Sequence, residues 1–319
     1  MSVILQGTHV VVGAGAVGSA VARELAEAGA PVVLITRSGS GSGHGNITPV
    51  AADASKVGAL LAAAPTAAVV YNCVNPPYNQ WAKLWPPMAS AFLEYAQATG
   101  AVLATCSNLY GYGPVDLPMV ESLPLAATGV KARIRAQMWE DAKSANDAGR
   151  VRATEVRGSD YLCAGQQSRL GDRVVPRVLA GKPVQLLCDL DQPHSWTAPV
   201  DVARTLIAVG SDERAWGKAW HVPSNPARSQ RQAVGDIASA AGVPQARIKQ
   251  VPPALLWMLG VVNPLIRELR ETSYQMDRPY LLDDSASRET FGILPTPWEQ
   301  LLTDLIGQYR PTDRHGSTG

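Results

Sequence analysis

Residues Val10 to Ala20 read VVVGAGAVGSA, and this stretch decides the fold. A short apolar run ends in Gly-x-Gly-x-x-Gly, and a helix-forming segment, Val21 to Ala28, follows at once. In a βαβ unit the first glycine permits a tight turn, the second lets the backbone approach a pyrophosphate, and the third lets helix and strand pack closely. A purely structural glycine turn is the alternative, but the position between a first strand and a first helix favours a dinucleotide site. The residues expected to contact the dinucleotide there are Gly13, Ala14, Gly15, Ala16, Val17 and Gly18.

Composition narrows the class of protein. The chain has 319 residues, of which 46% are hydrophobic and 17% charged, and its formal net charge is +1. This length suits one large domain, or a large and a small one, with a full core. No basic block suggests nucleic acid or an anionic membrane as a partner. The longest apolar stretch, Ala254 to Val262, is too short to span a bilayer, and a secretory signal is not expected.

The four cysteines, Cys73, Cys106, Cys163 and Cys188, lie far apart and form no Cys-x-x-Cys. This spacing supports neither a metal site nor a disulfide framework, so a reducing cytoplasm is the simplest compartment.

The second strand, Pro31 to Thr36, indicates which dinucleotide binds. At the end of this strand an acidic side chain would bind the 2′-hydroxyl of the adenosine ribose, whereas an arginine would accept a 2′-phosphate. The chain has Arg37 and Ser38 there, with no Asp or Glu nearby. The sequence therefore predicts NADP (NADPH) in preference to NAD. The alternative is that Arg37 is a solvated loop residue.

Further cofactor contacts are expected where later strands end. Asp53 follows the third strand, Ile47 to Ala52, and would hydrogen-bond the adenine amino group or, alternatively, cap the next helix. The fourth strand, Ala67 to Val74, is a nearly continuous apolar run, as expected for a parallel sheet covered on both faces. Ligands lie beyond the carboxyl ends of such strands. The expected cofactor contacts in these two regions are Asp53, Ala54, Cys73, Val74 and Asn75.

Polar and aromatic side chains also cluster after the later strands. A fifth strand is predicted at Ala101 to Thr105 and a sixth at Arg152 to Arg157, with a long helix between them from Thr128 to about Ala148. Six β/α alternations with right-handed crossovers give a doubly wound parallel Rossmann sheet of the α/β class. The residues expected to line a substrate pocket are Tyr78, Trp81, Tyr112, Tyr161 and Trp196. Trp85 and Phe92 are expected to pack in the core instead, and a helix is predicted from Met88 to Ala98.

The helix and turn pattern changes from Gln166 onward. We assign residues 1–165 to an NADP-binding Rossmann domain that segment 195–224 rejoins, and residues 166–194 and 225–319 to a smaller, mostly helical substrate or lid domain. Helices are predicted at Gln230 to Ala241, Pro253 to Val262 and Pro297 to Tyr309. Apolar side chains in this part would form a lid core or a hydrophobic substrate pocket; they are Trp257, Met258, Leu265, Tyr274, Met276 and Tyr280. Residues 311–319 are expected to be disordered.

The order of these features resembles the extended branch of the short-chain dehydrogenase/reductase superfamily, the NAD(P)-dependent epimerase/dehydratase-like proteins. Gly13 to Gly18 is similar to the nucleotide loop of that family, and Asp53-Ala54 to its adenine-contacting position. Leu109-Tyr110-Gly111 is similar to the Val-Tyr-Gly that follows its fifth strand, and Ser195 to Ala203 to a later segment that returns to the core. The resemblance implies a homodimer that pairs through a helix bundle.

One departure from the family bears on the chemistry. The family uses a Tyr-x-x-x-Lys pair, in which the lysine holds the nicotinamide ribose and lowers the pKa of the tyrosine. Lys131 matches the lysine, but Ala127 stands where the tyrosine would be and cannot transfer a proton. The chain therefore resembles atypical members such as the isoflavone-reductase-like group, which work without that tyrosine. Tyr110 is the candidate proton donor, with core packing as its alternative, and Asn108 is expected to orient substrate or water.

These observations predict an NADP(H)-dependent oxidoreductase. It would transfer hydride between the nicotinamide and a carbonyl, imine or conjugated carbon of a small, largely apolar organic substrate, with Lys131, Tyr110 and Asn108 as catalytic residues. The alternatives are an epimerase, dehydratase or isomerase with bound NAD(P), and a non-catalytic NADP-binding sensor.

Overall fold

A computed structural model describes residues 4–41, 44–252 and 271–310 of the chain. The helix predicted at Pro253 to Val262 lies outside these residues, as do Trp257, Met258, Leu265 and the terminal residues 311–319.

Seven parallel strands form the central sheet, in the order β10-β6-β5-β4-β1-β2-β3. These strands are β1 (His9–Val12), β2 (Val32–Thr36), β3 (Ile47–Ala51), β4 (Val69–Asn72), β5 (Val102–Asn108), β6 (Arg152–Gly158) and β10 (Ala219–His221). The chain runs outward from β1 in one direction and from β4 in the other, so β1 and β4 flank the point where the strand order reverses. The predicted doubly wound parallel Rossmann sheet is confirmed, and ligands bind at such a switch point.

Helices cover both faces of the sheet. They are α1 (Ala16–Glu27), α2 (Val57–Ala63), α3 (Trp81–Thr99), α4 (Val130–Asp147) and α6 (Pro199–Ser211). Side chains alternate across each strand: Val11 packs with α1 and α6 on one face, whereas Val10 and Val12 pack with α2, α3 and α4 on the other. Burial on both faces explains the continuous apolar runs of the strands.

The third helix begins earlier than the sequence indicates. A helix was expected only from Met88, after Pro86 and Pro87, but α3 begins at Trp81 and contains both prolines. A proline costs a helical hydrogen bond. Trp81 and Trp85 are 2% and 0% exposed, and burial of two indoles offsets that cost. Trp85 and Phe92 pack in the core as predicted.

A second hydrophobic core lies outside the main sheet. It contains buried side chains from Leu162 to Ala198, from α7 (Gln230–Ala241) and from the helix Trp298–Gly307. Other elements outside the main sheet are α5 (Val175–Leu179), the helix Tyr274–Asp277, and two small parallel sheets, β8 (Val184–Leu186) with β11 (Ile248–Gln250) and β7 (Asp160–Tyr161) with β9 (Trp196–Thr197). The helix Ser285–Phe291 packs instead against the core of the main sheet, where Phe291 contacts Trp220. Between these segments the chain contributes β10, which pairs with β6 at the edge of the main sheet. The domain limits at residues 165, 195 and 224 stay a prediction.

Candidate active site

The glycine turn between β1 and α1 has the backbone that its sequence requires. Gly13 has a φ of +101°, and a Cβ on it would lie 2.7 Å from the carbonyl oxygen of Cys73. A Cβ on Gly18 would lie 1.8 Å from the carbonyl oxygen of Gly13. A Cβ on Gly15, in contrast, would meet no atom within 4 Å. Two of the glycines therefore serve close packing, and the third borders open space.

That open space suits a dinucleotide. Ala14, Gly15 and Ala16 are exposed at the start of α1, where the first backbone N–H groups of a helix have no partner within the helix. Together with the positive end of the helix dipole, such N–H groups bind phosphate. Val17 and Gly18 are buried against the sheet. The turn therefore fits the pyrophosphate of a nicotinamide dinucleotide.

The two polar residues after β2 lie at the same edge of the sheet. Arg37 and Ser38 are both exposed, and the Ser38 hydroxyl is 2.7 Å from that of Ser40. Because β2 pairs directly with β1, Arg37 follows the strand next to the glycine turn. It keeps a solvent-facing guanidinium where a 2′-phosphate would be recognised.

After β3, Asp53 shapes its own loop. Its Oδ1 accepts hydrogen bonds from the backbone N–H and the hydroxyl of Ser55, at 3.0 and 2.7 Å, and these bonds lower the pKa of the Asp53 carboxyl. The N-cap of α2 is Lys56, so Asp53 is not that cap. Asp53 remains exposed, whereas the adjacent Ala54 is buried.

The end of β4 packs directly against the glycine turn. The backbone N–H of Cys73 donates to the carbonyl of Val12 at 3.0 Å. Val74 is half-buried and Asn75 is exposed. The segment 73–75 therefore lies beside the turn, at the switch point of the sheet.

Lys131 is deeply buried and paired. It lies in the first turn of α4, is 2% exposed, and holds its Nζ 3.0 Å from Oε2 of Glu271. The same carboxylate accepts the backbone N–H of Lys131 at 2.8 Å through Oε1. A Cβ on Gly129 would lie 2.5 Å from that Oε1, so a glycine there makes room for the carboxylate. Sequence reasoning missed Glu271, because nothing local links positions 140 residues apart.

Two tyrosines lie next to Lys131. Tyr78 follows β4 and Tyr110 follows β5, each at the start of a short 3-10 turn. Their hydroxyls are hydrogen-bonded to each other, and Lys131 Nζ lies 5.5 Å from the centre of the Tyr78 ring. Burial raises the pKa of both phenols. The structure thus brings together Lys131, Tyr110 and Tyr78, a residue that the sequence had indicated only for the pocket.

Ala127 stands where the family's tyrosine would be and adds no hydroxyl to this group of residues. Its backbone N–H donates to the carbonyl of Gly111 at 3.1 Å, which fixes the segment before α4 against the Tyr110 turn. Asn108 stabilises that turn, because its Oδ1 accepts the backbone N–H of Tyr110 at 3.1 Å. The Asn108 amide is thereby engaged in positioning Tyr110.

A family model supplies the comparison that decides the class. The model of the NAD dependent epimerase/dehydratase family matches residues 9–220, more than half of the chain. The chain belongs to this family. The match includes the glycine turn and Lys131.

Solved structures of 12–19% sequence identity share the fold of this family member. A dTDP-glucose 4,6-dehydratase from Bacillus anthracis, solved with NAD, is 17% identical with a TM-score of 0.76, and the match covers 95% of this chain and 96% of that one. An epimerase from Methanothermobacter thermautotrophicus is 17% identical with a TM-score of 0.78, covering 95% and 91%. A UDP-glucuronic acid 4-epimerase from Bacillus cereus, also with NAD, is 14% identical with a TM-score of 0.74, covering 95% and 98%. No curated protein sequence matches the chain.

Several predicted pocket residues of this epimerase/dehydratase family member face its interior. Tyr112 is 3% exposed, and its hydroxyl accepts from Arg157 at 2.6 Å and lies 2.8 Å from Nε2 of His221. Trp196 is buried in the second core and donates to the carbonyl of Arg228 at 2.9 Å. Trp81 donates to the carbonyl of Pro76 at 3.0 Å. These contacts account for the three side chains by packing.

Tyr161 lies nearer the site. It is half-buried in the short strand β7, with its hydroxyl 3.4 Å from the sulfur of Cys106. Burial raises the pKa of the Cys106 thiol, which disfavours a reactive thiolate.

A charged group lies beside Tyr161. The Asp160 carboxylate is 3.0 Å from Arg169 Nε and 3.2 Å from His194 Nε2. Arg169 and His194 hold the pKa of that carboxyl well below its usual range, against the effect of burial. Asp160 is therefore a stable anion, and both Asp160 and Arg169 lie close enough to Tyr78 to affect its pKa.

A groove on the surface lies outside the site around Lys131. A groove of about 630 Å³ runs between α3 and α4 and is lined by residues such as Ala82, Ser90 and Gln137. The homodimer that the family resemblance implies stays a prediction.

Within the described ranges, no cluster of His, Cys, Asp and Glu side chains is arranged to hold a metal ion. In the same ranges, no helix combines the length and apolar character needed to cross a bilayer.

Proposed function

We propose that the chain is a nicotinamide-dinucleotide-dependent enzyme that exchanges hydride with a small, largely apolar organic substrate at a carbonyl, imine or conjugated carbon. The buried ammonium of Lys131 is the observation that carries this proposal. It lies at the carboxyl edge of the sheet, as the glycine turn does, and beside a pair of phenols. The aromatic side chains of Tyr78 and Tyr110 favour an apolar substrate.

The nicotinamide, when bound, would supply or accept the hydride. The chain itself would hold the pyrophosphate on the α1 amides and stabilise charge with Lys131. A fixed positive charge shielded from water stabilises an alkoxide or enolate as it develops. Glu271 would orient Lys131 through the 3.0 Å ion pair.

We propose NADP(H) as the preferred cofactor, on the exposed guanidinium of Arg37. Arg37→Ala is expected to weaken NADPH binding about 10-fold to 100-fold, because hydrogen bonds to charged groups contribute about 1.5–3 kcal/mol. NADH affinity should not change. Fluorescence titration of both dinucleotides measures this. Arg23→Ala, which removes an exposed arginine paired with Glu27 on α1, is the matched control. An unchanged NADPH preference in Arg37→Ala would contradict the assignment.

A redox-neutral epimerase or dehydratase is the second candidate, and the family match over residues 9–220 favours it. In that reaction the hydride returns to the substrate, so no net oxidation of the dinucleotide accumulates. The non-catalytic sensor rests only on the alanine at position 127.

A turnover screen separates these functions. Purified protein is first titrated with NADPH and NADH, and NADPH oxidation is then followed with aldehydes, ketones, enones and quinones as acceptors. The proposal expects saturable binding and oxidation with at least one acceptor class. Bound dinucleotide that exchanges isotope with a substrate but shows no net oxidation would favour the epimerase or dehydratase. Binding with neither oxidation nor exchange would favour the sensor.

A further inference from the structure

Hydride addition to a carbonyl needs a proton for the oxygen, and Ala127 cannot supply one. The group that supplies it must lie near Lys131, because the ammonium stabilises the same developing charge. Two described side chains near Lys131 carry an O–H group suited to this role, Tyr78 and its hydrogen-bonded neighbour Tyr110.

The two phenols are not equivalent. Tyr110 is 8% exposed and stacks on Trp81, with ring centres 6.2 Å apart. Tyr78 is only partly buried, and it is the ring that Lys131 Nζ approaches to 5.5 Å. Both rings pack against Trp81, but Tyr78 is the more exposed residue and the one whose ring Lys131 Nζ approaches.

The geometry assigns Tyr78 as the proton donor to the substrate oxygen, with Tyr110 as a positioning residue behind it. This assignment rests on the proposed hydride transfer. As hydride adds to the carbonyl carbon, the C=O π pair moves onto oxygen, and that oxygen takes the proton of the Tyr78 O–H group. The electron pair of the broken O–H bond remains as the Tyr78 phenolate. The phenolate accepts a hydrogen bond from Tyr110, faces Lys131, and recovers a proton from solvent.

Charged groups around the two phenols affect the loss of a proton from Tyr78. Burial raises the pKa of Tyr78, but the hydrogen bond from Tyr110 and the nearby Arg169 and Arg135 lower it, and Asp160 raises it. The pKa of Tyr110 is raised well above its ordinary value, first by burial and then by Tyr78. Arg169 and Arg135 therefore favour the phenolate of Tyr78 as it forms.

A titration of tyrosine absorbance tests the assignment without any substrate. The difference between wild type and Tyr78→Phe isolates the ionisation of Tyr78. Removing a positive charge at this range raises the pKa of an anion-forming group, so Lys131→Met should move this ionisation upward by about one pH unit or more. Lys143→Met, on the exposed part of the same helix, should leave it in place. The assignment would be overturned if the pKa of Tyr78 were the same in Lys131→Met as in wild type. It would also be overturned if the shift persisted in the Tyr78→Phe background.

Kinetics provide a second test once an acceptor is found. Tyr78→Phe should lower kcat by about 100-fold to 10,000-fold, since loss of a general acid has effects of this size, while NADPH binding stays close to that of wild type. The reductive rate needs a protonated Tyr78, so it falls as pH rises through the pKa of that residue. Tyr110→Phe removes a donor to the phenolate, raises that pKa and moves the basic limb to higher pH.

The two tests separate the two claims. If none of the acceptors in the screen supports NADPH oxidation by wild type, the proposed function fails. The absorbance titration still decides whether Tyr78 and Lys131 are coupled. If wild type is active and Tyr78→Phe keeps more than about a tenth of its kcat, far above the general-acid expectation, the proton-donor assignment fails and the function stands.

Discussion

Gly18→Ala is expected to destabilise the protein by about 3 kcal/mol or more, the upper end of what overpacking costs, and to abolish dinucleotide binding. The added Cβ would lie 1.8 Å from the carbonyl oxygen of Gly13, a backbone atom that cannot rotate away. Gly13 is itself held against Cys73, where its own Cβ would lie 2.7 Å from a carbonyl oxygen. Relief would require α1 to move off the sheet. Denaturant unfolding and NADPH titration measure the two effects.

Gly15→Ala is the matched control in the same turn. Its φ of −72° suits any residue, and the new Cβ would meet no atom of the protein within 4 Å. The free energy of unfolding should fall by less than about 1 kcal/mol, the usual cost of an alanine at an N-cap. NADPH binding should weaken all the same, because the methyl group enters the space that a pyrophosphate would approach. Equal destabilisation by the two substitutions would contradict this division of roles.

Lys131→Met is expected to lower kcat by about 100-fold to 1,000-fold, as removal of a preorganised charge-stabilising group does in other enzymes. Methionine fills a similar volume but provides no charge beside Tyr78. Its partner Glu271 keeps 25% of its side-chain surface in solvent and still accepts the backbone N–H of residue 131. The unfolding free energy should therefore change little. The measurement is the rate of NADPH oxidation with the best acceptor of the screen.

Two further variants control for this loss. Lys143→Met removes a lysine from the same helix, one that pairs with Asp147 at 2.7 Å and is 47% exposed; its activity should equal that of wild type. Glu271→Gln keeps an acceptor for the backbone N–H but removes the ion pair, so its loss should be smaller than that of Lys131→Met. A Lys131→Met protein with wild-type kcat would remove Lys131 from the chemistry.

Local sequence patterns predicted much of the fold. The glycine spacing after β1 placed the first βαβ unit, because a side chain at Gly13 or Gly18 would clash with the backbone. The helix α7 occupies residues 230–241 as predicted. The start of α3 was wrong, since Pro86 and Pro87 argue locally for a break. Burial of Trp81 and Trp85 favours a continuous helix, through tertiary contacts that the local sequence does not reveal.

The candidate site was predictable only in part. Tyr110 could be proposed from the sequence because it follows a strand end, and Lys131 because it matches the lysine of the resembled family. Glu271 and Arg169 could not, because each meets its partner only after distant segments fold together. Tyr78 was placed near the pocket, but its bond to Tyr110 and its position beside Lys131 depend on three separate connections converging at one sheet edge.

The most direct test of the central claim is an equilibrium titration of the purified protein with NADPH, followed by the quenching of tryptophan fluorescence. We expect saturation at one NADPH per chain, with weaker binding in Gly15→Ala and in Arg37→Ala. Absence of saturable binding by NADPH and by NADH would contradict the dinucleotide site at Gly13 to Gly18 and, with it, the proposed hydride transfer.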